Sequence, residues 1–116
     1  MSKKLLFIDS SEALTVTFED FFRAIGFDVT SAATGGEASE ILENSNFDLI
    51  VTDFNGAAVN GNALVGELAK RPHPTPVIAH VCDANVITES PLIKEVVLKP
   101  ASIFQLLEAI DKSLCA

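Results

Sequence analysis

Three residues of this chain are placed to do chemistry together: Asp9, Asp53 and Lys99. Each follows directly on a short, mainly apolar run: Leu5-Leu6-Phe7-Ile8, Leu49-Ile50-Val51-Thr52 and Val96-Val97-Leu98. Such runs read as buried parallel strands, so the charge behind each one sits at a strand's carboxyl end. In open α/β sheets that edge is where ligands collect. Two carboxylates are hard donors for a divalent cation, and an ammonium can pair with carboxylate or phosphoryl oxygens. The three side chains together suit a metal ion and a phosphoryl group.

The elements that must position them follow from hydrophobic periodicity. Strand one is expected over 5–8. A helix follows over 11–25, with Leu14, Phe18, Phe21, Phe22 and Ile25 on one face, stopped by Gly26 as a C′ glycine. A second strand spans 27–32, and Thr34-Gly35-Gly36 leads into a helix over 37–44. Strand three covers 47–52. The glycines and asparagines of 54–61 fit a non-helical loop, with Asn60 capping a helix that turns Leu64, Val65 and Leu68 inward. Strand four spans 77–81 and strand five 96–98. Between them, 82–94 carries the poorest helical pattern of the chain, interrupted by Pro91. The final helix is expected to bury Ile103, Phe104, Leu106, Leu107 and Ile110. Five strands alternating with five helices predict a doubly wound, flavodoxin-like (βα)5 three-layer sandwich, its parallel sheet ordered 2-1-3-4-5.

Composition narrows the function. At 116 residues and 48% hydrophobic, 1–116 reads as a single globular domain. Sixteen acidic against eight basic residues give a net charge of −8, which argues against nucleic-acid binding. No apolar stretch approaches membrane-spanning length, and the run after Lys3-Lys4 is too short for a signal peptide. Cys82 and Cys115 make no disulfide framework. A cytoplasmic location is expected. No G-x-G-x-x-G or P-loop signature is present, and no serine or cysteine has a matched base, so an enzyme is not expected.

Taken in order, Asp9, Asp53, Gly61 and Lys99-Pro100 resemble the anchors of response regulator receiver domains, and the resemblance covers essentially the whole chain. It implies two-component phosphorelay signalling, with Asp53 accepting a phosphoryl group from a sensor histidine kinase or phosphotransfer protein. It further implies Mg²⁺ held by Asp9, Asp53 and Asn55, and Lys99 paired with Asp53 and then with the phosphoryl oxygens. The Lys99-Pro100 bond resembles the family's cis peptide. A downstream protein partner would dock on the face made by helix four, strand five and helix five.

The chain also departs from the family pattern: Gly56-Ala57 replaces the usual Met-Pro after the acceptor, the short segment over 81–99 implies a trimmed or irregular helix four, and three site or switch positions differ. Ser10 stands where a second metal carboxylate is usual, so Mg²⁺ binding should be weak. Val81 replaces a Ser or Thr, and Val96 replaces the switch aromatic. These changes predict an attenuated output switch. They also support an alternative: a phosphorylation-independent pseudo-receiver that serves as a protein–protein interaction module. Among the remaining polar residues, Asp9 could also cap helix one with Glu12 as a capping-box partner. Asp83 reads as a solvated loop acid, and His73 as exposed. His80 reads as a satisfied structural residue, and Cys82 as partly buried without a redox role.

Overall fold

A computed structural model describes residues 2–115, apart from the side chain of Asn55. Seven strands appear in chain order: β1 (Lys4–Ile8), β2 (Asp28–Ala32), β3 (Leu49–Thr52), β4 (Asn55–Gly56), β5 (Val59–Asn60), β6 (Val77–Val81) and β7 (Ile93–Leu98). The helices are α1 (Glu12–Ala24), α2 (Gly35–Asn44), α3 (Gly61–Leu68) and α4 (Ile103–Cys115). Five strands form one parallel sheet in the order β2-β1-β3-β6-β7, the doubly wound arrangement expected from the sequence. The short β4 and β5 make an antiparallel hairpin inside the loop after Asp53.

Alternating side chains of the central strands feed two cores. Leu6, Ile8, Ile50, Val77 and Ala79 join Ala38, Leu42, Leu64 and Leu68 from α2 and α3. Leu5, Phe7, Leu49, Val51 and Ile78 join Phe18, Phe22, Leu106 and Ile110 from α1 and α4. Because both faces of β1, β3 and β6 are covered, these strands are apolar almost throughout. The second core is built on stacked rings, with Phe7 and Phe18 centroids 4.1 Å apart and Phe18 and Phe22 4.3 Å apart.

The helix ends follow from local chemistry. Ser11 caps α1 through Leu14 N–H, Thr34 caps α2 through Glu37 N–H, and Asn60 caps α3 through Ala63 N–H. At the far end of α1, Gly26 takes φ +103°, with its N–H donating to Arg23 and that of Phe27 donating to Phe22. This is the double bond of a Schellman stop, in which glycine carries no Cβ penalty. Ile25 lies beyond the helix and is exposed, not packed inward as its spacing suggested. Phe104 also departs from expectation. It is 68% exposed and packs edge-to-face with Phe21, while Leu106, Ala109 and Ile110 bury the inner face of α4.

Helix four, expected to be trimmed or irregular, does not form as an α-helix at all. Residues 82–92 contain one 3-10 turn, Ala84–Val86, opened by the Asp83 carboxylate accepting from Asn85 N–H. Asn62 on α3 then holds the segment at two points. Its side-chain amide donates to Val86 C=O at 2.7 Å and accepts from Thr88 N–H at 2.8 Å. Those backbone groups are thereby committed outside any helix ladder. The last strand starts at Ile93, three residues earlier than expected, because Leu92 C=O accepts from Val77 N–H and draws the chain into register. The expected partner face therefore consists of β7, α4 and this irregular segment.

Replacing Asn62 with Ala leaves Val86 C=O and Thr88 N–H without their partner. We expect a stability loss of about 1 kcal/mol and faster amide exchange at Thr88. Urea unfolding and hydrogen exchange measure both, and an unchanged Thr88 exchange rate would contradict this role for Asn62.

Candidate functional site

The sheet delivers Asp9, Asp53 and Lys99 to its carboxyl edge, each one residue beyond a strand end. Ile8 pairs in register with Thr52, so the two aspartates lie level on adjacent strands. Their backbones are fixed by continued pairing, Asp9 N–H donating to Ala32 and Asp53 N–H to Ile8. Lys99 enters from the edge strand, its N–H donating to Val81 at 2.7 Å, and the Lys99–Pro100 peptide is cis.

The lysine joins the aspartates. Its Nζ lies 2.7 Å from Asp9 Oδ2 and 3.6 Å from Asp53 Oδ2. The short bond is to Asp9, whereas the sequence pointed to Asp53 as the partner. The other oxygens accept backbone N–H groups: Asp9 Oδ1 from Ser11 at 2.9 Å, and Asp53 Oδ1 from Phe54 at 2.8 Å. Ser11, not Asp9, is the N-cap of α1, and Glu12 is exposed. Both aspartates are buried, while the lysine side chain keeps 20% of its surface in contact with solvent. Burial alone would lower the Lys99 pKa. The hydrogen bond and charge of Asp9, followed by the charge of Asp53, outweigh it and hold the ammonium above its ordinary value.

Two glycines leave room around Asp53. A Cβ at Gly56 would stand 2.9 Å from Asp53 Oδ2. One at Gly61 would meet the Phe54 ring at 2.5 Å and Asp53 C=O at 2.8 Å. The glycine opening α3 is thus required by close packing under the aspartate.

Of the departing positions, Ser10 is exposed at the site with a neutral oxygen. Val81 is fully buried at the end of β6, and Val96 is 45% exposed on β7. The side chain of Asn55 lies outside the described residues. The donor chemistry fits a hard cation to the extent of two carboxylates, Asp9 and Asp53. Among the described residues, no group of three or more His, Cys, Asp or Glu side chains could hold a metal.

His80 is the residue that sequence reasoning misjudged. It is 2% exposed, yet neither ring nitrogen has a hydrogen-bond partner among the described residues. Burial first, then the charge of Lys99, lowers its pKa to about 4. Cys82, expected to be partly buried, is exposed. The sequence did hold one signal for His80: a polar residue inside an otherwise apolar strand, level with Asp53.

A parallel five-stranded α/β sheet with an acidic pair and a lysine on its carboxyl edge defines the class of protein. The model of the response regulator receiver domain matches residues 5–111. The chain belongs to that family, whose members are receiver modules of two-component signalling. It is 34% identical over 70 residues to a probable transcriptional regulator, ycf29, of Pyropia yezoensis, covering 60% of this chain and 32% of that protein. It is 24% identical over 104 residues to the Regulator of RpoS of Escherichia coli (strain K12), covering 86% of this chain and 31% of that protein. The chain thus spans about a third of the length of these curated relatives. Among solved structures, it superimposes on a receiver domain protein of Methanospirillum hungatei JF-1 with a TM-score of 0.86 at 23% identity, covering 99% and 95% of the two chains. Response regulator TrrA of Thermotoga maritima, solved in complex with Mg(2+)-BeF, gives 0.83 at 22% identity over 97% and 99%. These likenesses establish the fold. No described helix is long and apolar enough to cross a membrane.

The His80 shift has a pH consequence with a definite sign. Between pH 6.5 and about 4 the unfolded chain binds a proton at His80 that the folded chain does not. Stability is therefore full above pH 6.5 and falls through that window, by about 3 kcal/mol at most. Replacing His80 with Leu removes this dependence, along with a buried unpaired donor. We expect a gain of about 1 kcal/mol at pH 7 and a flatter acid limb, measured by urea unfolding of both proteins from pH 7 to pH 4.

Proposed function

We propose that residues 1–116 act as one receiver-like domain that accepts a phosphoryl group on Asp53 from a sensor histidine kinase or phosphotransfer protein. The observation that carries this reading is the Lys99 ammonium set against both aspartates, 2.7 Å from Asp9 and 3.6 Å from Asp53. In the transfer, an Asp53 oxygen forms a bond to phosphorus as the bond from phosphorus to the donor histidine breaks. Lys99 faces the acceptor carboxylate and is placed to pair with phosphoryl oxygens as charge develops on them. Gly56 keeps the space beside Asp53 Oδ2 clear of a side chain.

Asp9 and Asp53, with the Asn55 carbonyl, would hold Mg²⁺. When bound, the ion offsets the repulsion between a carboxylate and an incoming phosphoryl group. With Ser10 contributing no charge, binding is expected to be weak. A downstream protein partner would use the face of β7 and α4, where Val96, Leu98 and Phe104 are 45%, 53% and 68% exposed. The net charge of −8 weighs against a nucleic-acid partner.

A second reading is favoured by Val81 and Val96. An isopropyl group at the end of β6 has no hydroxyl to meet a phosphoryl oxygen, and the residue at 96 has no ring to rotate. A domain with a muted switch could serve as a constitutive interaction module, binding its partner through the same β7 and α4 face whether or not Asp53 is modified.

Beryllofluoride with Mg²⁺ separates the two readings, since it mimics the acyl phosphate without a kinase. Under the first, amide signals near Asp9, Asp53 and Lys99 shift saturably, and the shifts vanish in Asp53→Ala. No response at millimolar Mg²⁺ would remove the phosphoacceptor reading and leave the interaction module. Replacing Ser10 with Asp should tighten Mg²⁺ by about tenfold, equivalent to about 1.4 kcal/mol. An unchanged affinity would mean that residue 10 does not face the metal.

A further inference from the structure

The two edges of the sheet are built differently. Along β2 the outward backbone is occupied: Arg23 donates to Val29 C=O at 2.9 Å, and Glu19 holds both Arg23 and the Ser31 hydroxyl. Along β7 it is bare. Lys99 N–H donates to Val81, so strand alternation turns the N–H and C=O of Val97 toward β6 and those of Val96 and Leu98 outward. No side chain among the described residues bonds those outward groups. Lys94, the charge best placed to guard the edge, is turned back onto Pro91 C=O at 2.9 Å. With no α-helix over 82–92, the flank of β7 opposite α4 is open as well, leaving Val96 and Leu98 45% and 53% exposed. A groove of about 390 Å³ runs along this edge, between residues 95–98 of β7 and Gln105, Glu108 and Lys112 of α4.

We propose that a second copy of this chain docks here, its β7 antiparallel to the first about a two-fold axis, so that the two five-stranded sheets join through backbone hydrogen bonds into one. Charge selects both the occupant and its register. Lys112 is fixed level with Glu95 by their ion pair at 3.6 Å. At about 1.5 Å per helix residue and about 3.3 Å per strand residue, Glu108 stands level with Val97 on the antiparallel α4. A ladder centred on Val96 sets Val96 against its own copy, Lys94 against Leu98 and Glu95 against Val97. Each Lys112 then comes level with Glu108 of the other copy, and no like charges oppose one another across the strands. Moving the axis to Glu95 opposes the two Glu95 carboxylates and the two Lys112 ammoniums, and moving it to Val97 opposes the two Glu108 carboxylates. The contact needs neither a metal nor a phosphoryl group, so it stands apart from the acceptor reading. It takes up the edge proposed above for a downstream partner, and the two exclude each other.

One strand and one helix face per copy make a contact below about 1,200 Å², the class of weak, exchanging pairs, so the whole chain is followed by sedimentation equilibrium up to about 1 mM. We expect a monomer–dimer equilibrium in that range. Glu108 and Lys112 are both exposed, so charge reversal there spares the fold. Glu108→Lys and Lys112→Glu should each weaken the dimer by about tenfold, and the double variant should recover most of the loss. Amide exchange at Val96 and Leu98 should slow as the dimer forms, while that of Val97, already turned to β6, stays unchanged. A chain that remains monomeric throughout would overturn the proposal and leave the edge to a strand from a different protein. A dimer indifferent to the charge variants would overturn the register. One that leaves the Val96 and Leu98 amides unprotected would overturn the ladder.

Discussion

The ammonium of Lys99, carried just past β7, bonds to Asp9 at the end of β1 although β6 and β3 lie between the two strands in the sheet. It also has to come back along the strand direction. Thr52 pairs with Ala79 and Val81 with Leu98, so Lys99 stands two residues, about 6–7 Å, beyond the level of Asp53. A lysine side chain is too short to do this across a flat sheet, so the twist of the sheet has to bring the strand ends closer together. Much else at this edge follows from that reach. The two aspartates can be buried because a cation neutralises part of their charge. Burial first, and then the field of the lysine beside it, hold the histidine at position 80 neutral.

Charge and packing are coupled through the loop after β3. Asp53 is held from one side by its own chain, through Phe54 N–H, and from below by Gly61 at the start of α3. The Phe54 ring fills the space against Gly61, so the first turn of α3 is pressed onto the backbone of the site. The same helix carries Asn62, which fixes the irregular segment between β6 and β7. One short helix therefore supports the acidic edge at its first residue and the neighbouring loop at its second.

The sheet order, the caps at Asn60 and Gly26, and the convergence of Asp9, Asp53 and Lys99 were all legible in the sequence. Each rests on a local pattern: an apolar run ended by a charge, or a capping residue at a helix boundary. What the sequence hid depends on partners far along the chain. The poor helical pattern over 82–94 was visible, but not the path the segment takes, which is held by Asn62, more than twenty residues upstream of the groups it binds. The short bond of Lys99 to Asp9 depends on register across four strands, which no local pattern encodes. His80 looked like a residue whose partner would be supplied by its surroundings, yet neither ring nitrogen finds one among the described residues.

The hairpin of β4 and β5 brings main chain close against Asp53 Oδ2 on its Gly56 side. A side chain at that position could swing aside or swing in, opening and closing the approach on the timescale of a rotamer change. Peptide units tied into a hairpin cannot. On that side, the gap offered to an approaching donor is a fixed aperture, and adjusting it requires the hairpin itself to move.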